Sequence, residues 1–117
     1  MEKYSLDRNL LISDSLIFKR IIRTGRHIKG DRITLFWIPG ETRELKIGFT
    51  TTRKIKNAVV RNRARRLMKE VFRLHRSDLM NGVNIVLRWS GKVEGWNYRS
   101  AEAEILGLWR SSDLLKK

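Results

Sequence analysis

Lys54-Ile55-Lys56-Asn57-Ala58-Val59-Val60-Arg61-Asn62-Arg63-Ala64-Arg65-Arg66-Leu67-Met68-Lys69-Glu70-Val71-Phe72-Arg73 carries both the apolar rhythm of a helix and most of the chain's charge. Val60, Ala64, Leu67, Val71 and Leu74 recur at spacings of four and three and form one stripe, widened by Met68 and Phe72. Asn57 stands before the stripe as an N-cap, so the pattern predicts a long helix from there to about His75. Arg65, Lys69, Arg73 and Arg76 fall on the opposite half of the wheel, with Asn62 and Arg66 beside them. Arg63 and Glu70 sit on one flank, and Arg61 enters from the other at the first turn. Between Arg53 and Arg76 there are ten basic residues and one acid, Glu70, a net +9 of the chain's +14. Like charges at helical spacing repel by roughly a few tenths of a kcal/mol per pair. Only Glu70, within reach of Arg66 and Arg73, relieves them. The plain alternative is a solvated face on a basic protein. Three features weigh against it. The cations are mostly Arg, whose forks match phosphate oxygens and stack on bases. They lie behind a clean apolar stripe. Asn62, a poor helix former, interrupts the arginines where its amide can meet a nucleotide. The helix reads as a nucleic-acid-binding element.

Around this helix the chain reads as a small α+β unit. Residues 13–24 form a short helix, with Ser13 as N-cap, Leu16, Phe18, Ile21 and Ile22 as apolar positions, and Gly25 as the stop. Residues 33–38, Ile-Thr-Leu-Phe-Trp-Ile, are rich in β-branched and aromatic types and read as a strand. A turn over residues 39–43 leads to a second strand over 45–51. There Leu45, Ile47 and Phe49 alternate with Lys46, Gly48 and Thr50, the period of a half-buried strand. These two strands are expected to pair antiparallel. Asn81-Gly82 marks a turn, residues 83–89 a third strand, residues 91–95 a loop, and residues 97 to about 115 a last helix with Ala101, Ile105, Leu108 and Trp109 inward. The order helix, strand, strand, helix, strand, helix predicts an αββαβα sandwich with one small, mostly antiparallel sheet.

Length and composition agree. The 117 residues suit one domain spanning the chain, 1–117, and 41% hydrophobic content excludes a disordered basic tail. Twenty-six Lys and Arg against 12 Asp and Glu give the +14, and the pI is near 11.1. A compact domain this positive expects a polyanionic partner. The absence of cysteine excludes disulfides, thiolate nucleophiles and cysteine-held zinc. The start at residues 1–5 has no basic region followed by a long apolar run, and no stretch approaches the ~20 residues of a membrane span. The expectation is a soluble cytoplasmic protein with no membrane partner.

The quoted run resembles the signature helix of the bacterial ribonuclease P protein subunit: an Arg-Asn-Arg core at Arg61-Asn62-Arg63, a basic pair at Arg65-Arg66, and the continuation Lys69-Glu70-Val71-Phe72-Arg73. Phe18, Ile22 and Gly25 resemble the family's Phe-x3-aromatic-x2-Gly segment, with Ile22 in place of the usual aromatic. Phe36 matches an aromatic on the first strand. Gly48-Phe49-Thr50-Thr51-Thr52-Arg53-Lys54 resembles the family's Gly-hydrophobic-Ser-Val-Ser-Lys-Lys strand, and Lys56 stands where the family usually has glycine. The resemblance covers roughly residues 10 to 90. It implies a left-handed βαβ crossover, against the usual handedness. It further implies a protein that is not itself the catalyst: an RNA cleaves precursor tRNA to give the mature 5′ end, using Mg2+ bound mainly by that RNA, with none held tightly by the protein. Arg61, Asn62, Arg63, Arg65, Arg66, Lys69 and Arg73 would dock on the ribonuclease P RNA, one protein per RNA. Phe18, Ile22, Phe36, Thr50, Thr52, Arg53 and Lys54 would line a cleft for the single-stranded 5′ leader. For Phe18 and Phe36 ordinary core packing is the competing reading, and Ile22 reads as core.

No protein-based active site is legible. His27 and His75 are the only histidines, and no HxxxH, Ser-His-Asp order or glycine-rich phosphate loop occurs. Trp37, Trp89, Trp96 and Trp109 read as packing residues. A metal-dependent nuclease would need clustered acids, and a DNA-binding regulator would need a base-reading helix, often on a dimer. A ribosomal-protein-like structural RNA binder remains the alternative, sharing charge and size but having no effect on precursor cleavage.

Overall fold

The computed structural model describes residues 8–116, so the start at residues 1–5 lies outside the described residues. In chain order the elements are helix α1 (Ser15–Thr24), strands β1 (Arg26–Lys29), β2 (Ile33–Pro39) and β3 (Lys46–Thr51), helix α2 (Ala58–His75), strand β4 (Val83–Trp89) and helix α3 (Tyr98–Ser111). The four strands form one sheet in the order β1-β2-β4-β3. β1 with β2 and β2 with β4 are antiparallel, whereas β3 and β4 are parallel and are joined through α2 as a βαβ unit.

This arrangement corrects the expected pairing of β2 with β3, because β4 lies between them. Val83, Ile85, Val86, Leu87 and Trp89 are all buried, so β4 is covered on both faces and belongs at the centre. The connection after Pro39 carries the chain past the start of β4, where the Gly40 N–H donates to the Gly82 carbonyl at 2.9 Å. A second correction is β1, which the sequence reading left out. Its Arg-His-Ile-Lys has no apolar alternation, and as an edge strand it pairs on one side only. Glu104 of α3 fixes the turn that follows, accepting from the backbone N–H groups of Arg32 at 2.9 Å and Ile33 at 2.6 Å. Burial raises the Glu104 carboxyl above its ordinary value, opposed by those two backbone donors.

The main core lies on the sheet face covered by α2 and α3. Ile33 and Leu35 of β2, Ile47 and Phe49 of β3, and the odd-numbered residues of β4 meet Ala64, Met68, Val71 and Phe72 of α2 and the expected inward quartet of α3. Trp89 and Trp109 are fully buried, and Trp37 and Trp96 pack against the same cluster. Leu74, expected in the α2 stripe, stays half-buried outside this core. The buried line runs through Met68 and Phe72 instead, which turns the exposed face toward Asn62 and Arg66. α1 crosses the other sheet face, where Ile21, Phe36 and Val86 form a smaller cluster.

Local signals set the helix limits. The Asp14 side chain, not Ser13, caps α1 by accepting from the Leu16 N–H at 2.8 Å. The Gly25 N–H closes it on the Ile21 carbonyl. The Asn57 side chain accepts from the N–H groups of Val59 and Val60 at 2.8 and 3.3 Å. Asn57→Ala is expected to cost about 1 kcal/mol, the usual worth of such a cap, in denaturant unfolding. α3 ends at Ser111 rather than near Leu115. Asp113 takes a positive φ of 60°, which turns Leu114 into the core and lets Leu115 bridge to Leu79. Helices α2 and α3 are tied at their ends by His75, whose ring nitrogens approach Glu102 at 2.7 Å and Asp78 at 3.5 Å. The Tyr98 hydroxyl also donates to Glu102, at 2.9 Å. Hydrogen bonds from His75 and Tyr98 hold the Glu102 carboxyl below its ordinary range, and burial followed by Glu102 pushes the Tyr98 hydroxyl up to about 12.

Candidate nucleic-acid interface

Two basic surfaces share the segment between β3 and α2. The first is the outer face of α2. Asn62, Arg63 and Arg66 are exposed, and Arg61, Arg65, Lys69 and Arg73 are half-buried. They are not equivalent. Arg61 Nη1 donates to the carbonyls of Ile55 at 3.1 Å and Lys56 at 2.7 Å. Arg63 Nη2 reaches the Trp96 carbonyl at 2.8 Å. Arg65 Nη1 lies 3.3 Å from the Asn62 side-chain oxygen. Arg73 grips Glu70 through Nε at 3.1 Å and Nη2 at 2.5 Å, which holds the Glu70 carboxyl below its ordinary range. Arg66 and Lys69 have no hydrogen-bond or ion-pair partner among the described residues. Glu70 thus relieves Arg73 and leaves Arg66 uncompensated.

The second surface is a cleft of about 710 Å³ between the end of α1 and the sheet face that α1 leaves uncovered. Of the residues expected there, Ile22, Phe36, Thr52 and Lys54 line it, whereas Phe18, Thr50 and Arg53 fall outside its lining. Phe18 instead lies over Gly48, its ring occupying the space a side chain at that position would need. Thr50 sits beside Arg88 in the β3–β4 register, on the same face. Arg53 is exposed on the turn that follows β3. Phe36 is only 5% exposed, so it forms the floor of the cleft and offers no free ring face. The Arg88 guanidinium lies 4.8 Å from its ring centroid, and the His27 ring stands 6.0 Å from it at 32°. Arg23, Lys29, Lys54 and Arg88 face one acid, Asp31, around this hollow. Thr52 Oγ1 and Arg88 Nε are buried without a hydrogen-bond partner, and both belong to the cleft lining. A negatively charged chain with hydrogen-bonding groups suits such a surface better than a small apolar molecule.

Arg23, His27, Lys29, Asp31 and Arg88 line the cleft and stand outside the expected leader set. For Arg88 a signal existed: Val83, Ile85, Leu87 and Trp89 share one face of β4, so a charge at 88 must point from the opposite face. For His27 and Lys29 the signal was absent, because β1 is too polar to register as a strand. No group of three or more His, Cys, Asp or Glu that could hold a metal occurs among the described residues. No helix among the described residues is long and apolar enough to cross a membrane.

Comparison with known proteins follows the same line. A family model described as Ribonuclease P matches residues 6–113. The chain is 31% identical over 100 residues to the ribonuclease P protein component of Natranaerobius thermophilus, covering 86% of this chain and 87% of that one. It is 33% identical over 115 residues to that of Desulfovibrio desulfuricans, covering 94% and 88%. In fold it is similar to a solved structure of Staphylococcus aureus RNase P protein, with a TM-score of 0.81 at 18% identity over 92% of this chain and 98% of that chain. The RNase P protein from Thermotoga maritima gives 0.71 at 21% identity over 80% and 89%. With its signature helix, element order and nearly whole length matched, the chain belongs to the ribonuclease P protein family.

Proposed function

We propose that this chain acts within ribonuclease P by docking on the catalytic RNA through the outer face of α2 and by holding the 5′ leader of precursor tRNA in the cleft beside α1. The observation that carries the reading is the cleft: four cations around one acid, and two buried polar atoms without partners, along a channel open to solvent. Phosphates satisfy the cations. The Arg88 guanidinium and the His27 ring, layered on Phe36, offer surfaces for bases without reading their edges, so leader binding is sequence-tolerant. The α2 face and the cleft meet at the turn before α2, so one small protein can touch both RNAs at once.

Cleavage itself belongs to the RNA subunit. Mg2+ is bound mainly by that RNA, with none held tightly by the protein. Positive charge between two RNAs lowers the screening they would otherwise need from ions. One protein per RNA, in the cytoplasm, completes the reading.

The test is cleavage of a precursor tRNA by a bacterial ribonuclease P RNA at low magnesium, with and without the protein. Substrates with a long leader and with one trimmed to a nucleotide or two are compared. Rescue that is stronger for the long leader is the expected result. Tight RNA binding without rescue would favour a structural RNA binder of the ribosomal-protein type. Within the rescued system, Arg88→Ala is expected to weaken long-leader binding by about 10-fold and to leave the trimmed substrate unchanged, the size of one lost stacking and phosphate contact. Equal losses for both substrates would place Arg88 outside the leader path.

A further inference from the structure

We propose that Arg61 is a positioning residue whose guanidinium braces the cation-bearing turn between β3 and α2, holding the wall of the leader cleft in place from the RNA-docking helix. The inference rests on the leader-cleft reading and adds to it the residue that links the two surfaces.

Residues 52–57 have no regular structure, yet they are fastened along their length. The Thr52 N–H donates to the Trp89 carbonyl at 2.9 Å, and the Ile55 N–H to the Thr52 carbonyl at 3.2 Å. The Ile55 side chain packs against the main core, and Asn57 caps α2. The carbonyls of Ile55 and Lys56, next to the helix start, accept from a side chain instead of a backbone donor. Arg61, one turn into α2, covers both with Nη1. A charged donor shared by two carbonyls makes a stronger tie than neutral bonds do. It also spends the guanidinium inside the protein, unlike Arg66.

The braced turn is the one that matters to the substrate. Thr52 and Lys54 line the cleft, and Lys54 and Lys56 also border a second hollow of about 430 Å³ that contains Lys92. Arg53, Lys54 and Lys56 are exposed cations. Without Arg61 the stretch between Ile55 and the Asn57 cap would lose its tie to α2, and the neighbouring cations would lose more orientation entropy when the leader binds.

Arg61→Met and Arg61→Lys are assembled with ribonuclease P RNA, and two quantities are measured. One is the slope of log affinity for the RNA against log salt; the other is the affinity advantage of a long-leader precursor over a trimmed one. A positioning role leaves the slope of Arg61→Met at the wild-type value and lowers the long-leader advantage at least threefold. Arg61→Lys keeps the charge and an ammonium with three donors that can serve the same two carbonyls, and it restores most of the advantage. A direct RNA contact gives the opposite pattern and overturns the proposal: the Arg61→Met slope falls by about 0.7–0.9, the worth of one phosphate, and the long-leader advantage persists. If Arg61→Met fails to fold, the uncharged Arg61→Gln takes its place, and a fall in the salt slope with the long-leader advantage retained refutes the brace. A wild-type complex without any long-leader advantage refutes the cleft reading itself, which is a different result from either of these.

Discussion

Arg66→Ala combined with Lys69→Ala is expected to weaken assembly with ribonuclease P RNA by about 10- to 100-fold at moderate salt, without changing stability. The reasoning starts from α2. Its buried line through Ala64, Met68, Val71 and Phe72 aims Arg66 directly away from the core. Arg63 and Arg73 have partners within the protein, so their charge is partly satisfied before RNA arrives. Arg66 and Lys69 have none among the described residues. Each phosphate neutralised releases counterions, so the slope of log affinity against log salt should become shallower by about 1.5 when both are removed. Arg66 is exposed and Lys69 half-buried, and neither serves a cap or an ion pair among the described residues, so removing each changes stability by about 0.5 kcal/mol or less. Arg110→Ala is the control: it removes an exposed cation from α3, on another element. Equal weakening by both variants would show diffuse attraction to a +14 protein rather than docking through α2.

Gly48→Ala is expected to be the most destabilising small substitution in the sheet, at roughly 3 kcal/mol, the upper end of overpacking costs. Gly48 lies on β3 opposite Val86 and has no positive φ, so alanine suits its backbone. The obstacle is the Phe18 ring, which takes up the volume an added Cβ would need, all the nearest atoms being ring carbons. The melting temperature should fall on the order of 10 °C for a domain of this size. The cause can be isolated. In a Phe18→Ala background the ring is gone, and Gly48→Ala should become neutral or stabilising by about 0.5–1 kcal/mol, because glycine is a poor strand residue. A cost that persists in the double variant would place the strain elsewhere than between α1 and β3. The same cycle bears on function, since Phe18 seated on Gly48 sets where α1 crosses the sheet and hence the width of the cleft.

Much of this molecule was legible before folding. The α2 limits follow from Asn57 and the apolar spacing, and the inward set of α3 follows from period alone. The alternation of β3 separated Ile47 and Phe49, which enter the main core, from Gly48 under the Phe18 ring and Thr50 beside Arg88. These signals are local: caps and periodicity act over one or two turns of chain. The misses have physical reasons of a different range. β1 is held by partners rather than by composition. β4 enters between β2 and β3 and pairs with both, an arrangement that exists only in the assembled sheet. The exposed face of α2 turned toward Arg66 because Phe49 of β3 meets Phe72, with ring centroids 6.0 Å apart, and draws that residue inward at the expense of Leu74.

The sequence by itself therefore determined the family, the basic helix and the kind of partner, since charge, capping and periodicity are properties of contiguous residues. The tertiary structure alone decided how the cations divide. Whether an arginine faces solvent, a carbonyl or a carboxylate depends on groups such as the Trp96 carbonyl, 33 residues away from Arg63. The cleft is likewise tertiary, because its floor, walls and rim come from α1, three strands and four connecting segments that meet only when the sheet has closed on its core.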